Sequence, residues 1–183
     1  MTDRDRTLLV DASVWITLSE TNSLDLLRGL DGKIVIPVSV FKEIKTNPAM
    51  KDLESASDNW VQFEPILKNK NIFDDIDEYV QTAASQLGVE DESDFTGDVG
   101  LLAMALRNDR PVVITDDKPL RQTCKALSIL ISGSIGVLIR AVERGECTAE
   151  DAKQTLYAMD EVGARLSASL VKRAEQLIDD AAD

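Results

Sequence analysis

Five short apolar runs recur along the chain: TLLVDA (7–12), KIVIP (33–37), WVQFEPI (60–66), PVVIT (111–115) and SILIS (128–132). TLLVDA, KIVIP and PVVIT are continuously apolar, as strands covered on both faces are. Residues 60–66 alternate instead, with Trp60, Gln62 and Glu64 opposite Val61, Phe63 and Pro65. That pattern predicts an exposed edge strand.

Helical spacing fills the intervals. Residues 14–30 predict one or two short helices, broken near Thr21-Asn22-Ser23. SVFKEIKTN (39–47) predicts a helix capped by Ser39 and stopped by Asn47-Pro48. Residues 49–58 add a turn or two, and 72–87 predict an amphipathic helix closed by Gly88. Further helices are predicted over 93–108, 118–127 and 133–145, and a helical tail over 148–163 and 167–183. Buried strands alternating with helices imply a mostly parallel sheet covered on both faces. Ligands of such sheets bind at the carboxyl ends of the strands.

Acidic residues stand at those ends. PVVIT runs directly into Asp116-Asp117, and LLV runs into Asp11. Adjacent carboxylates repel, so solvent or a cation must compensate them. Asp11 taken alone is either a helix cap or a functional acid. Glu43 lies about 60° from Val40 on a helical wheel, on the flank of the apolar face. Asp98 shares its side of a helix with Leu102 and Ala105, where an unpaired carboxylate is costly. Asp94, one turn earlier on the same predicted helix, is either a charge favourable at a helix start or a second ligand. Ser13 and Thr115 offer hydroxyls beside the same acids.

Composition narrows the chemistry. The chain of 183 residues contains no histidine, which removes Ser-His and Cys-His nucleophile pairs and His-ligated zinc. Its two cysteines, Cys124 and Cys147, fit neither a zinc motif nor a disulfide framework. Carboxylates without imidazole or thiolate favour hard cations such as Mg²⁺ and Mn²⁺. The net charge of −13 leaves no broad basic surface for nucleic acid, so a phosphate substrate requires a local basic patch and a bridging cation. Spread-out acids and only 4% aromatics suggest a halophilic, salt-adapted surface; the competing reading is an ordinary acidic protein with basic partners. No apolar run approaches roughly 18 residues, so no transmembrane helix and no membrane partner are expected. The start, MTDRDRTLLVDASVW, lacks a signal core and a small-residue cleavage site; a cytoplasmic location is expected.

The segments LLVDASVW, IPVSVFKEI, GDVGLLAMAL and VVITDD, in that order, resemble the PIN-domain ribonucleases. GSIGVLIRAVERG resembles the stretch after the last core strand in the VapC-like, toxin-related subgroup. The resemblance implies a three-layer α/β/α sandwich with a mostly parallel sheet plus C-terminal helices. It divides the chain into a nuclease domain over 1–147 and a helical extension over 148–183 packed on it. It also implies cleavage of single-stranded RNA with Mg²⁺ or Mn²⁺. By position, Asp11, Glu43 and Asp98 match the first three family acids and Asp117 the fourth, with Asp116 as the neighbouring alternative at the metal. Ser13 and Thr115 match hydroxyl positions. Lys42, Lys45, Lys118 and Arg121 are candidates for a phosphate rim.

The tail carries apolar stripes, Ala152, Leu156 and Met159, then Leu166, Leu170, Ala174 and Leu177. They pack on the chain's own core, or form a homodimer face or an antitoxin groove. Two rival functions are a PIN-like binding or regulatory module without nuclease activity and a phosphatase with an aspartate nucleophile. The latter wants a second acid two residues after Asp11, where Ser13 stands.

Overall fold

The computed structural model describes residues 6–57, 59–64 and 78–182. Five strands, β1 (Thr7–Val10), β2 (Lys33–Pro37), β3 (Val61–Glu64), β4 (Pro111–Ile114) and β5 (Leu130–Ser132), form one all-parallel sheet in the order β3-β2-β1-β4-β5. The winding proceeds from β1 through β2 to β3 and then crosses back to β4. The carboxyl ends of β1 and β4 therefore flank the point where strand order reverses, which is where open α/β sheets open a crevice. The β1–β4 register pairs Val10 with Ile114, so the next residues, Asp11 and Thr115, emerge side by side.

Helices cover both faces, giving the α/β/α sandwich. They are α1 (Ala12–Glu20), α2 (Asp25–Arg28), α3 (Val38–Phe41), α4 (Ala49–Ser57), α5 (Glu78–Leu87), α6 (Gly97–Arg107), α7 (Lys118–Ala126), α8 (Ser134–Glu143), α9 (Ala149–Met159) and α10 (Ala168–Ala182). Leu9, Val35, Val113 and Leu102 are completely buried in the core. So is Trp15, whose indole nitrogen donates to the Ala49 carbonyl at 3.0 Å and whose ring stacks on Trp60 at 5.6 Å. The helix α6 buries every residue from Val99 to Ala105, because α3, α5 and the sheet enclose it. A helix apolar nearly all round belongs in such a place. The alternating strand β3 lies at the sheet's edge. Among the described residues, no helix is long and apolar enough to cross a membrane.

Several elements differ from the sequence expectation. The helix expected over 39–47 starts behind Pro37 and ends at Phe41, so Ser39 lies inside its first turn and Glu43 stands in the turn that follows. The helix expected over 93–108 is two elements. A single 3-10 turn, Glu92–Asp94, is held by the Asp91 side chain accepting from the Ser93 amide at 2.9 Å. Extended Phe95 and Thr96 then lead into α6. Asp94 consequently shares no helix face with Asp98 and is exposed. Of the segments expected over 60–66 and 72–87, residues 65–66 and 72–77 lie outside the described residues.

The tail is corrected in detail too. The helix α9 stops at Met159 and the chain widens into a π-turn through Ala164. Leu166 precedes the first residue of α10, so spacing counted from it does not set that helix's face. Ala174 and Ile178 are completely buried, whereas Leu170 and Leu177 are about two-fifths exposed. Ala152, Leu156 and Met159 are buried as expected, and Ala174 and Ile178 join the same core cluster as the sheet.

Candidate active site

Asp11 leaves β1 at the head of α1 and is only 5% exposed. Its side chain makes no cap hydrogen bond. Instead its Oδ2 accepts from Ser13 Oγ at 2.5 Å and from Thr115 Oγ1 at 2.8 Å. Burial pushes its carboxyl above the usual range, the two hydroxyls partly oppose that, and the charge of Asp117 adds to it.

Thr115 is completely buried and links two acids. Its hydroxyl donates to Asp11 and accepts from the Asp117 amide at 3.0 Å. Asp117 in turn caps α7, its Oδ1 accepting from the Leu120 amide at 2.8 Å, with Pro119 in the helix's first turn. The Asp-x-Pro start is a local helix signal, so this acid's backbone position is fixed by α7.

Asp98 sits in the first turn of α6. Burial raises its carboxyl to about 6, followed by the charges of Asp11, Asp117 and Glu43. Three separated segments therefore bring their acids within electrostatic reach of a fourth. Glu43 reaches across from the turn after α3, and its Oε1 accepts from the Gly97 amide at 2.6 Å. Gly97 permits this approach: a Cβ there would lie 2.8 Å from Oε2 and 2.9 Å from Oε1. The glutamate also supplies the anion that the start of α6 favours.

Asp116 and Arg121 do something else. Asp116 Oδ1 accepts from the Ser134 amide at 3.0 Å and its Oδ2 from the Ser134 hydroxyl, which ties the β4–α7 loop to the start of α8. Gly133 allows it, since a Cβ there would come within 2.4 Å of Oδ1. Arg121 Nη1 donates to the carbonyls of Thr115 at 2.7 Å and Ser132 at 2.6 Å, joining the ends of β4 and β5. The expectation that this guanidinium faces substrate meets a group already engaged by the frame. Lys42, Lys45 and Lys118 are exposed.

Asp11, Glu43, Asp98 and Asp117 thus share one field, with Ser13 and Thr115 orienting Asp11. Sequence reasoning did not single out Gly97, Gly133 or Ser134, whose small size and backbone amides make the arrangement feasible. The signal for each was a glycine or serine at a helix start directly beside an acid or a strand end.

The donor set is all oxygen, which suits a hard cation. Among the described residues no group of three or more acids stands close enough together to hold a metal ion. A cleft of about 860 Å³ opens beside Asp117 and runs toward the turn between α9 and α10.

No curated protein matches the chain. A family model described as a PIN domain matches residues 7–180. PIN domains are generally nuclease folds, typically dependent on divalent metal ions, and PIN nucleases act on RNA. The match begins at the first residue of β1 and extends into the last turn of α10; on that extent, the chain belongs to the PIN-domain family.

Proposed function

We propose that this chain is a metal-dependent endoribonuclease that hydrolyses phosphodiester bonds of single-stranded RNA. The observation that carries the reading is Asp98, whose carboxyl is raised to about 6 by burial and by Asp11, Asp117 and Glu43 together. Four acids repelling one another at the strand-order reversal are a cost to the fold that a divalent cation offsets.

In this reading Asp11, Asp98 and Asp117 hold Mg²⁺ or Mn²⁺, and Glu43 holds a water from its place at the head of α6. When bound, the ion lowers the pKa of a coordinated water and neutralises charge on the phosphate. Ser13 and Thr115 fix the orientation of Asp11 through its Oδ2. Thr115 also sets the distance between Asp11 and Asp117 by bonding to both. Lys45 and Lys118 belong to the phosphate rim. Asp116 and Arg121 are assigned to the frame because their partners are a helix start and two strand-end carbonyls.

Residues 1–147 form the catalytic body and 148–183 the extension that completes the cleft wall. The GSIGVLIRAVERG segment supports a VapC-like toxin role in the cytoplasm. An antitoxin or a second copy of the chain would use Tyr157 and Leu177, which are 44% and 40% exposed.

The deciding experiment measures Mn²⁺-dependent cleavage of single-stranded RNA by the wild type, Asp11→Asn and Asp98→Asn, with circular dichroism to check folding. Both variants lose cleavage while staying folded, and calorimetric titration shows weaker Mn²⁺ binding. Undiminished cleavage in both would overturn the reading. A wild type that binds no Mn²⁺ and cleaves nothing would favour the binding-module alternative.

A further inference from the structure

The cleft beside the acids has a second wall. Ser13, Asp116 and Asp117 line the end at the sheet, and Val162, Arg165 and Leu170 line the end at the elbow between α9 and α10. At about 860 Å³ it falls within the size of ligand-binding clefts, roughly 300–1,000 Å³. Its cationic lining residues are Arg121 and Arg165. Arg121 holds strand-end carbonyls through Nη1. Arg165 is exposed and makes no ion pair or side-chain hydrogen bond among the described residues.

The backbone that carries Arg165 is specified in detail. Arg165 adopts φ 49° and ψ 53°, the left-handed region, two residues after Gly163 at φ 104°. That region is uncommon for a side chain as bulky as arginine. Asp160 Oδ1 accepts from the Leu166 amide at 2.9 Å and closes the elbow, and the elbow packs against α1, the helix that follows Asp11. Glycine or asparagine would carry less strain at this position. An unpaired guanidinium held in a costly backbone state, on the wall of the cleft that opens beside Asp117, points to a ligand with negative charge. Val162 and Leu170 beside it are 40% and 41% exposed, an apolar surface for the flat face of a base.

On the proposed nuclease reading, we infer that Arg165 is the substrate-gripping residue of the elbow. Its guanidinium binds a phosphate of the RNA strand away from the scissile one, and Val162 and Leu170 contact the adjoining base. The elbow thereby selects single-stranded RNA and sets its path toward Asp117.

The test is fluorescence anisotropy with a labelled single-stranded oligoribonucleotide of mixed sequence, in Ca²⁺ to hold back cleavage, at several salt concentrations. The variants are Arg165→Gly, Arg165→Lys and Arg173→Ala, the last removing an exposed arginine from α10. Glycine suits the left-handed backbone, so Arg165→Gly keeps or raises the melting temperature. It weakens RNA binding by about 5–10-fold and flattens the slope of log K against log salt by about 0.7, the share of one phosphate on a single strand. Arg165→Lys recovers most of the slope and part of the affinity. Arg173→Ala changes neither. In cleavage assays Arg165→Gly raises KM more than it lowers kcat.

An Arg165→Gly variant with wild-type affinity and slope overturns the inference, and would be the result if the elbow served a protein partner instead. A wild type that binds RNA through Arg165 but cleaves none supports the elbow and sinks the nuclease reading. A wild type that binds no RNA overturns both.

Discussion

Asp116 and Asp117 are neighbours in the chain, yet they belong to two differently built halves of the sheet's carboxyl edge. On the β4–β5 side, Asp116 is answered by the amide and hydroxyl of Ser134, and Arg121 by two carbonyls. Those polar groups have protein partners of opposite character. On the β1–β4 side, Asp11, Asp98, Asp117 and Glu43 face one another. No lysine or arginine pairs with any of the four among the described residues. Hydrogen bonds anchor Asp11, Glu43 and Asp117 as well, so what separates the halves is like charge: carboxylates crowded on one another need a proton or a cation to offset their repulsion, and a carboxylate met only by donors is framework.

The comparison breaks most sharply on activity. Asp11→Asn keeps the shape of the side chain and one acceptor oxygen but removes a charge from the repelling half. Cleavage falls by about 100-fold or more, since even groups behind a metal ligand are worth 10–100-fold. Asp116→Asn, one residue from Asp117, retains most of its cleavage when assayed well below its melting temperature. Cleavage rates of the two variants side by side check this. If Asp116→Asn abolished cleavage with no loss of stability, Asp116 would move to the functional half.

Stability gives the mirror image. Asp116→Ala leaves the Ser134 amide and hydroxyl without their acceptor, and Arg121→Ala leaves the carbonyls of Thr115 and Ser132 without their donor. Each loss costs about 2 kcal/mol, the range for hydrogen bonds to charged groups. In a chain of this size that lowers Tm by roughly 4–8 °C. Calorimetric melting of either variant within a degree of wild type would show that the loop and helix hold without the brace.

The two halves were not equally legible in the sequence. The strands TLLVDA and PVVIT, and the acids that follow them at the sheet's carboxyl edge, were legible because continuous apolar runs and strand-end acids are local signals. The parallel sheet followed from alternating strands and helices, but its strand order, and with it the side-by-side exit of Asp11 and Thr115, did not. Asp98 was singled out because a carboxylate among Leu102 and Ala105 conflicts with its own helix. Asp94 was misplaced because nothing in local spacing reveals that Phe95 and Thr96 are extended. That break is set by a distant residue: Glu43, 54 positions away, takes the Gly97 amide at the start of α6. The partners of Asp116 and Arg121 were hidden for a similar reason. Ser134 and the Thr115 and Ser132 carbonyls are brought near only by the crossover from β4 to β5, and single-sequence patterns do not encode which polar group meets which.

The smallest effect is the most diagnostic of electrostatic frustration. Asp98 titrates at about 6 in the folded chain against an ordinary value of 3.8. Between those two values the folded state holds a proton that the unfolded state has released, so stability falls as pH rises through the window and levels off above about 6. Asp11, shifted in the same direction by burial, adds to the trend. Asp98→Asn removes the charge, so in chelator-treated buffer at pH 8 the variant is more stable than wild type, by about 1 kcal/mol after solvent screening, or roughly 2–4 °C. Near pH 4 the two melt together. Millimolar Mg²⁺ or Mn²⁺ reverses the order at pH 8, because the cation stabilises the wild-type acids and gains less from the amide. Differential scanning calorimetry of both proteins from pH 4 to 8, with and without the ion, reads all three points. Parallel melting curves across that range would mean that Asp98 is comfortable in its place, and that the β1–β4 side is as well satisfied as the β4–β5 side.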